Sequence, residues 1–216
     1  MIPNGVNPER FAPQDKLASR RKHEVPEDAF VVGYLGSLFP WQNLPVLVDL
    51  APRLIAAIPA FFCMIGGGQE PILSQLRNMV REKGLTDRFL LPGQIPWDDA
   101  AEFISCFDAA VAPIWRKGDY AFSPLKLAAY MACERVVIAT DAPGIKELLE
   151  QSGTGHFFAF QDSDDLARVV EMVARMSVGE RVACGRRGRE YILRHLSWSS
   201  LVAKTLDFMT SKGGAT

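Results

Sequence analysis

The sequence has 216 residues, of which 48% are apolar and 23% charged. That composition is ordinary for a globular protein; it excludes disordered, collagen-like and coiled-coil chains, and the length suits one domain with a full core. The 24 basic and 25 acidic residues leave a formal charge of −1, so no global field draws the chain to nucleic acid or anionic lipid, and any anion site must be local.

Residues 1–13 form a lead-in punctuated by proline and glycine. Short β-rich apolar runs and amphipathic stretches then alternate. The pattern predicts strands at 30–35, 61–65, 88–91, 107–112, 136–140 and 156–160. It predicts helices at 44–58, 72–83, 98–106, 123–133, 145–151, 162–176 and 180–196. Strands that alternate with helices require crossovers. Right-handed crossovers give an α/β, Rossmann-like doubly wound parallel sheet of about six strands with helices on both faces. Ligands of such sheets bind beyond the carboxyl ends of the strands.

Trp198, Leu201, Val202, Thr205, Leu206 and Met209 form one apolar helical stripe after the sheet is complete. The stripe either packs on its own domain or covers a surface belonging to something else, and self-association is one use for it. Residues 212–216 are a polar tail.

Cys63, Cys106, Cys133 and Cys184 have no metal-ligand or C-x-x-C spacing and read as reduced core thiols of a cytoplasmic protein. His23, His156 and His195 are scattered, so neither a metal site nor a hydrolase triad is expected. The start of the chain lacks a signal segment, and no apolar run reaches the roughly 18 residues that span a bilayer, so the chain reads as soluble.

The most informative stretch begins at Ser123-Pro124-Leu125-Lys126. Ser123 suits an N-cap and Pro124 the first helical position. Lys126 then faces the positive end of the helix dipole, where a carboxylate is the favoured residue. An anion bound there would satisfy both the lysine and the free backbone N–H groups; the plain alternative is a solvated lysine. Arg116 and Lys117 follow the fourth strand and either help to neutralise a diphosphate or belong to an ordinary surface loop. Gly36 and Ser37 end the first strand without completing G-x-G-x-x-G. Gly36 allows close backbone approach to a phosphate, and Ser37 can donate a hydrogen bond. Gly66-Gly67-Gly68 is either a ligand loop or a sharp turn, and Gly93-Gln94-Ile95 offers backbone groups to a base edge. Arg181, Arg186, Arg187, Arg189 and Arg194 read as a solvated helix face, not a nucleic-acid surface. Asp162, Asp164 and Asp165 read as the acidic opening of a helix.

Together, Pro3-Asn4-Gly5-Val6-Asn7, Val32-Gly33-Tyr34-Leu35-Gly36-Ser37, Ile65-Gly66-Gly67-Gly68, Leu91-Pro92-Gly93, Ser123-Pro124-Leu125-Lys126-Leu127 with Tyr130-Met131-Ala132, and Ser197-Trp198 resemble group 1 glycosyltransferases. The likeness is to their carboxyl-terminal half. It implies one half of a two-domain, B-type architecture: a lead-in (1–13) from a missing amino-terminal acceptor domain, a nucleotide-sugar-binding domain (14–196), a crossover helix (197–211) and a tail. It implies transfer of a sugar from a nucleotide diphosphate to an unidentified acceptor, with retention. No cofactor or metal is implied, because the nucleotide sugar is a substrate, and no catalytic base can be named on this chain. The isolated domain is expected to be inactive. By this resemblance Gly36, Ser37, Ser123, Leu125, Lys126, Arg116 and Lys117 hold the diphosphate, and Gly93, Gln94 and Ile95 the base.

The sequence departs from the family at four places. Gln42 and Asn43 stand where a lysine-glycine pair is usual, Ala121 and Ala129 replace two glutamates, and Glu134 replaces a glycine. Loss of a carboxylate at 129 weakens ribose capture by about 10- to 150-fold. The departures leave two other readings: a degenerate binding module of the same fold, or a sugar-nucleotide epimerase.

Overall fold

The computed structural model describes residues 4–68, 70–114 and 125–213. Among them are six strands: β1 (Phe30–Leu35), β2 (Ala60–Ile65), β3 (Phe89–Gly93), β4 (Ala109–Ala112), β5 (Val136–Thr140) and β6 (Gly155–Phe158). The described helices are α1 (Lys16–Lys22), α2 (Pro45–Ala57), α3 (Glu70–Glu82), α4 (Ala100–Ser105), α5 (Leu125–Ala132), α6 (Ile145–Ser152), α7 (Ser163–Arg175), α8 (Val178–Tyr191) and α9 (Trp198–Gly213). All strand pairs are parallel, in the order β3-β2-β1-β4-β5-β6. Strand order reverses between β1 and β4, so the crevice beyond their carboxyl ends is the place where this topology accepts a ligand.

β1, β2, β4 and β5 are covered on both faces, which is why they read as continuous apolar runs instead of alternating ones. Val31, Phe61, Cys63 and Ile65 face one core layer with residues of α4, α5 and α6. Phe30, Val32, Phe62 and Met64 face the other, with residues of α2, α3 and α7. A Cβ at Gly33 would lie 2.1 Å from the Phe107 ring, so the missing side chain lets that ring lie against the middle of β1. The four cysteines are buried and unpaired. No helix among the described residues is long and apolar enough to cross a membrane.

Several expectations are corrected. The segment before β1 was given no element, yet α1 forms there, capped by Asp15. The helix expected over 180–196 is α8 plus a π-helical turn at Ile192–Leu196. The arginines of α8 are not simply solvated. Arg181 donates to the carbonyls of Ala174 and Met176, Arg187 to Gly153, and Arg189 to Pro8, Phe11 and Ala132. The acidic opening of α7 is as read, with Asp162 capping the Asp165 N–H at 2.8 Å.

The lead-in is part of the packed structure. Val6 and Phe11 are buried in the core, and the Val6 N–H donates to Leu196 O at 2.9 Å. α9 behaves differently: Leu201 is buried, but Trp198, Val202, Leu206 and Met209 are 53%, 55%, 57% and 65% exposed. The reading in which the stripe packs on its own domain therefore holds only at its start, where Leu201 and one edge of Trp198 lie against Gly5. From Val202 onward its apolar residues stand open among the described residues.

Candidate functional site

The loops beyond β1, β2 and β3 are laced together by backbone hydrogen bonds. The Gly36 N–H donates to Ile65 O at 3.0 Å, Leu38 to Gly67 O at 2.9 Å, and Gly66 to Gly93 O at 2.9 Å. A Cβ at Gly66 would lie 1.8 Å from Gly36 O, and one at Gly68 would lie 2.6 Å from Leu38 O. Gly66 also has φ +154°. The run 66–68 thus serves close packing of one loop on another, which favours the sharp-turn reading over the ligand-loop reading. Because the Gly36 amide is engaged with Ile65, what Gly36 offers the crevice is space.

Two tyrosines organise the end of β1. The Tyr130 hydroxyl of α5 accepts from the Leu35 N–H at 2.9 Å and donates to the Leu35 carbonyl at 2.8 Å. It completes the strand where β4 no longer runs alongside. The Tyr34 hydroxyl donates to Ser37 O at 2.7 Å, fixing the loop that follows. Burial raises both phenols far above their usual range, so they remain protonated.

Lys126, one residue into α5, reaches this loop. Its amine donates to the Tyr34 hydroxyl at 2.9 Å and to Gln42 Oε1 at 2.7 Å, and lies 4.6 Å from the Tyr34 ring centre. Gln42 is only 8% exposed, held in a 3-10 turn that Asn43 closes in the left-handed conformation at φ 46°. Asparagine tolerates that conformation better than most residues with a side chain. Both partners of Lys126 are neutral. No carboxylate pairs with it among the described residues. Burial without a counter-charge pushes its pKa down to about 7. The amine is therefore poised to be recharged by any anion that arrives.

A cleft of about 490 Å³ opens beside it, bounded by Gly36 and Ser37, by Leu125, Lys126 and Ala129 of α5, by the lead-in, and by Trp97 and Trp198. The expected residues Gly36, Ser37, Leu125 and Lys126 are thus brought together. Ala129 lies in the wall and presents only a methyl group. Gly93, Gln94 and Ile95 lie on the adjoining loop: Gly93 through its bond to Gly66, Gln94 against Gly67, and Ile95 half-buried. Ser123, Arg116, Lys117 and Ala121 lie outside the described residues. No group of three His, Cys, Asp or Glu side chains able to hold a metal occurs among the described residues.

Sequence reasoning missed Tyr34, Gln42, Tyr130, Trp97 and Trp198 as site residues. A signal existed for the first: a tyrosine in an otherwise apolar buried strand must bring its hydroxyl to a polar partner.

Comparison with known proteins gives this site a lineage. The chain is 26% identical over 222 aligned positions to the GDP-mannose-dependent alpha-(1-6)-phosphatidylinositol monomannoside mannosyltransferase of Mycobacterium tuberculosis, covering 99% of this chain and 56% of that protein. It is 28% identical over 179 positions to the D-inositol 3-phosphate glycosyltransferase of Stackebrandtia nassauensis, covering 79% and 40%. In fold it resembles sucrose-phosphate synthase (tll1590) of Thermosynechococcus elongatus, with TM-score 0.80, 23% identity and coverage of 100% and 53%. It also resembles Anabaena Alr3699/HepE solved in complex with UDP, with TM-score 0.79, 18% identity and coverage of 96% and 56%. The chain spans about half the length of these relatives. The family model for glycosyl transferases group 1 matches residues 29–175, more than half of the chain, and to that family the chain belongs.

Proposed function

We propose that this chain is the donor-binding domain of a glycosyltransferase that moves a sugar from a nucleotide diphosphate to an acceptor, with retention at the anomeric carbon. The observation that carries the reading is the buried Lys126 amine, held by two neutral groups at the mouth of a cleft at the topological switch point. A diphosphate supplies the missing negative charge. As the bond to the sugar breaks, charge grows on the departing diphosphate, and the Lys126 amine, charged once the donor is bound and held in a desolvated wall, stabilises it more than it stabilises the bound donor. Ser37 is placed to add a hydroxyl donor. The names of the relatives accord with this: one is GDP-mannose-dependent, and the HepE structures hold UDP or UDP-glucose.

In this reading the acceptor site and any catalytic base come from an amino-terminal domain beyond this chain, which spans about half the length of its relatives. The open stripe on α9 is the surface such a domain, or a second copy of the chain, would cover. Four reduced thiols and nucleotide-sugar chemistry suit the cytoplasm.

Calorimetric titration with uridine, guanosine and adenosine diphosphates tests the proposal. At least one should bind, with net proton uptake near pH 7.5 as the Lys126 amine regains its charge. No heat with any of the three at millimolar concentration refutes it.

A further inference from the structure

The cleft has a second, chemically different feature. Its lining includes, besides Lys126, Trp97, a large aromatic side chain left 59% exposed at the start of the turn that leads into α4. Its exposure is not the looseness of a surface residue. Phe11 meets the indole edge-on at 5.5 Å between ring centres and 83° between planes. The Arg10 guanidinium lies 5.7 Å from the ring centre and is itself tied to Asp98. These contacts hold the plane of the indole while leaving much of it open. Ala129 adds only a methyl group to the same lining, and Leu125 is half exposed there. A cleft lined both by an amine that an anion would charge and by a fixed, open aromatic surface matches a molecule that joins an anionic group to a flat π-system.

We infer that Trp97 stacks the base of the bound nucleoside diphosphate, and that stacking, in place of a carboxylate on the ribose, holds the nucleoside in this chain. The inference rests on the donor-binding reading above and adds a residue to it. Stacking is indifferent to which base is present, because every base has a π-face. Trp97 accordingly gives affinity, and discrimination among bases falls to backbone groups on the loop before it.

The test is titration of the native chain and of Trp97→Ala and Trp97→Phe with whichever nucleoside diphosphate the native chain binds, together with quenching of tryptophan fluorescence. Trp97→Ala should lose about 5- to 150-fold in affinity. Trp97→Phe should recover most of it, and quenching should shrink in both variants. Equal affinity of native chain and Trp97→Ala overturns the role of Trp97 while leaving the donor-binding reading intact; so does a phenylalanine variant no better than the alanine one. Failure of the native chain to bind any nucleoside diphosphate overturns both.

Discussion

The sheet has a buried cation at each end, and the two are treated in opposite ways. At the amino end, Arg20 is 1% exposed and fully answered: its guanidinium donates to the Asp108 carboxylate at 2.6 Å and to the carbonyls of Cys106, Glu27 and Ala29 at 3.0, 2.8 and 3.1 Å. Asp108 in turn accepts from the Val31 N–H at 2.8 Å and from Lys16. At the carboxyl end, Lys126 has a hydroxyl and an amide and no counter-charge among the described residues. A charge that the fold completes for itself serves the fold; a basic group left without a counter-charge at a cleft is what the proposed donor site would use.

The contrast can be broken most severely at the amino end. Arg20→Ala takes from Asp108 its most buried charged partner and leaves four carbonyls without their donor, and urea unfolding should record a loss of about 3–5 kcal/mol. Acid should act on the same cluster. Burial by itself would raise the Asp108 pKa, but Lys16, Arg20 and the Val31 amide outweigh it and hold the carboxyl below its usual value. The stability it contributes is complete above the ordinary aspartate pKa of about 4 and drains away as the pH falls through the depressed one.

At the carboxyl end the same kind of change should spare the fold and remove the ligand. Lys126→Met should lower nucleoside diphosphate affinity by about 10- to 150-fold, the loss of one charge-assisted hydrogen bond. Stability should stay level or rise, since a desolvated amine is removed. The amine also leaves a pH signature. In the unfolded chain it keeps its proton to about pH 10, whereas in the fold it releases it near 7. Between those values the unfolded state binds more protons at this group, so Lys126 adds stability as the pH rises from 7; Lys126→Met should remove that contribution, read as the native-minus-variant difference in denaturant midpoints between pH 7 and about 8.5, below the range in which the unfolded chain's thiols lose their protons.

α5 joins the two ends, and its exit gives the smallest effect. Glu134 holds φ 59° there, with its N–H on Met131 O at 3.0 Å and the Arg135 N–H on Tyr130 O at 3.0 Å. That is a Schellman-type close, where glycine carries no Cβ penalty. Glu134→Gly should raise stability by about 1 kcal/mol in the same unfolding assay, without touching ligand affinity.

The framework was legible because it depends on near neighbours in sequence. The runs at 30–35 and 136–140 are strands with those ends. α1 was not legible, because its inward residues are Ser19 and Arg20 and no apolar period announces them. Lys126 could be singled out from its place at a helix start. Its partners Tyr34 and Gln42 could not, being 92 and 84 residues away and joined to it only by the packing of α5 on β1. The glycine run stayed ambiguous for a related reason: what Gly66 accommodates is the carbonyl of Gly36, a contact across two loops.

One hydroxyl, that of Tyr130, answers both backbone groups of Leu35, so the last residue of the central strand and the helix bearing Lys126 form a single stiff piece. Under the proposed function, the wall that would meet an incoming diphosphate is consequently ordered before the encounter. Little conformational freedom remains there to be surrendered on association, and even a modest set of contacts can be expressed almost wholly as affinity.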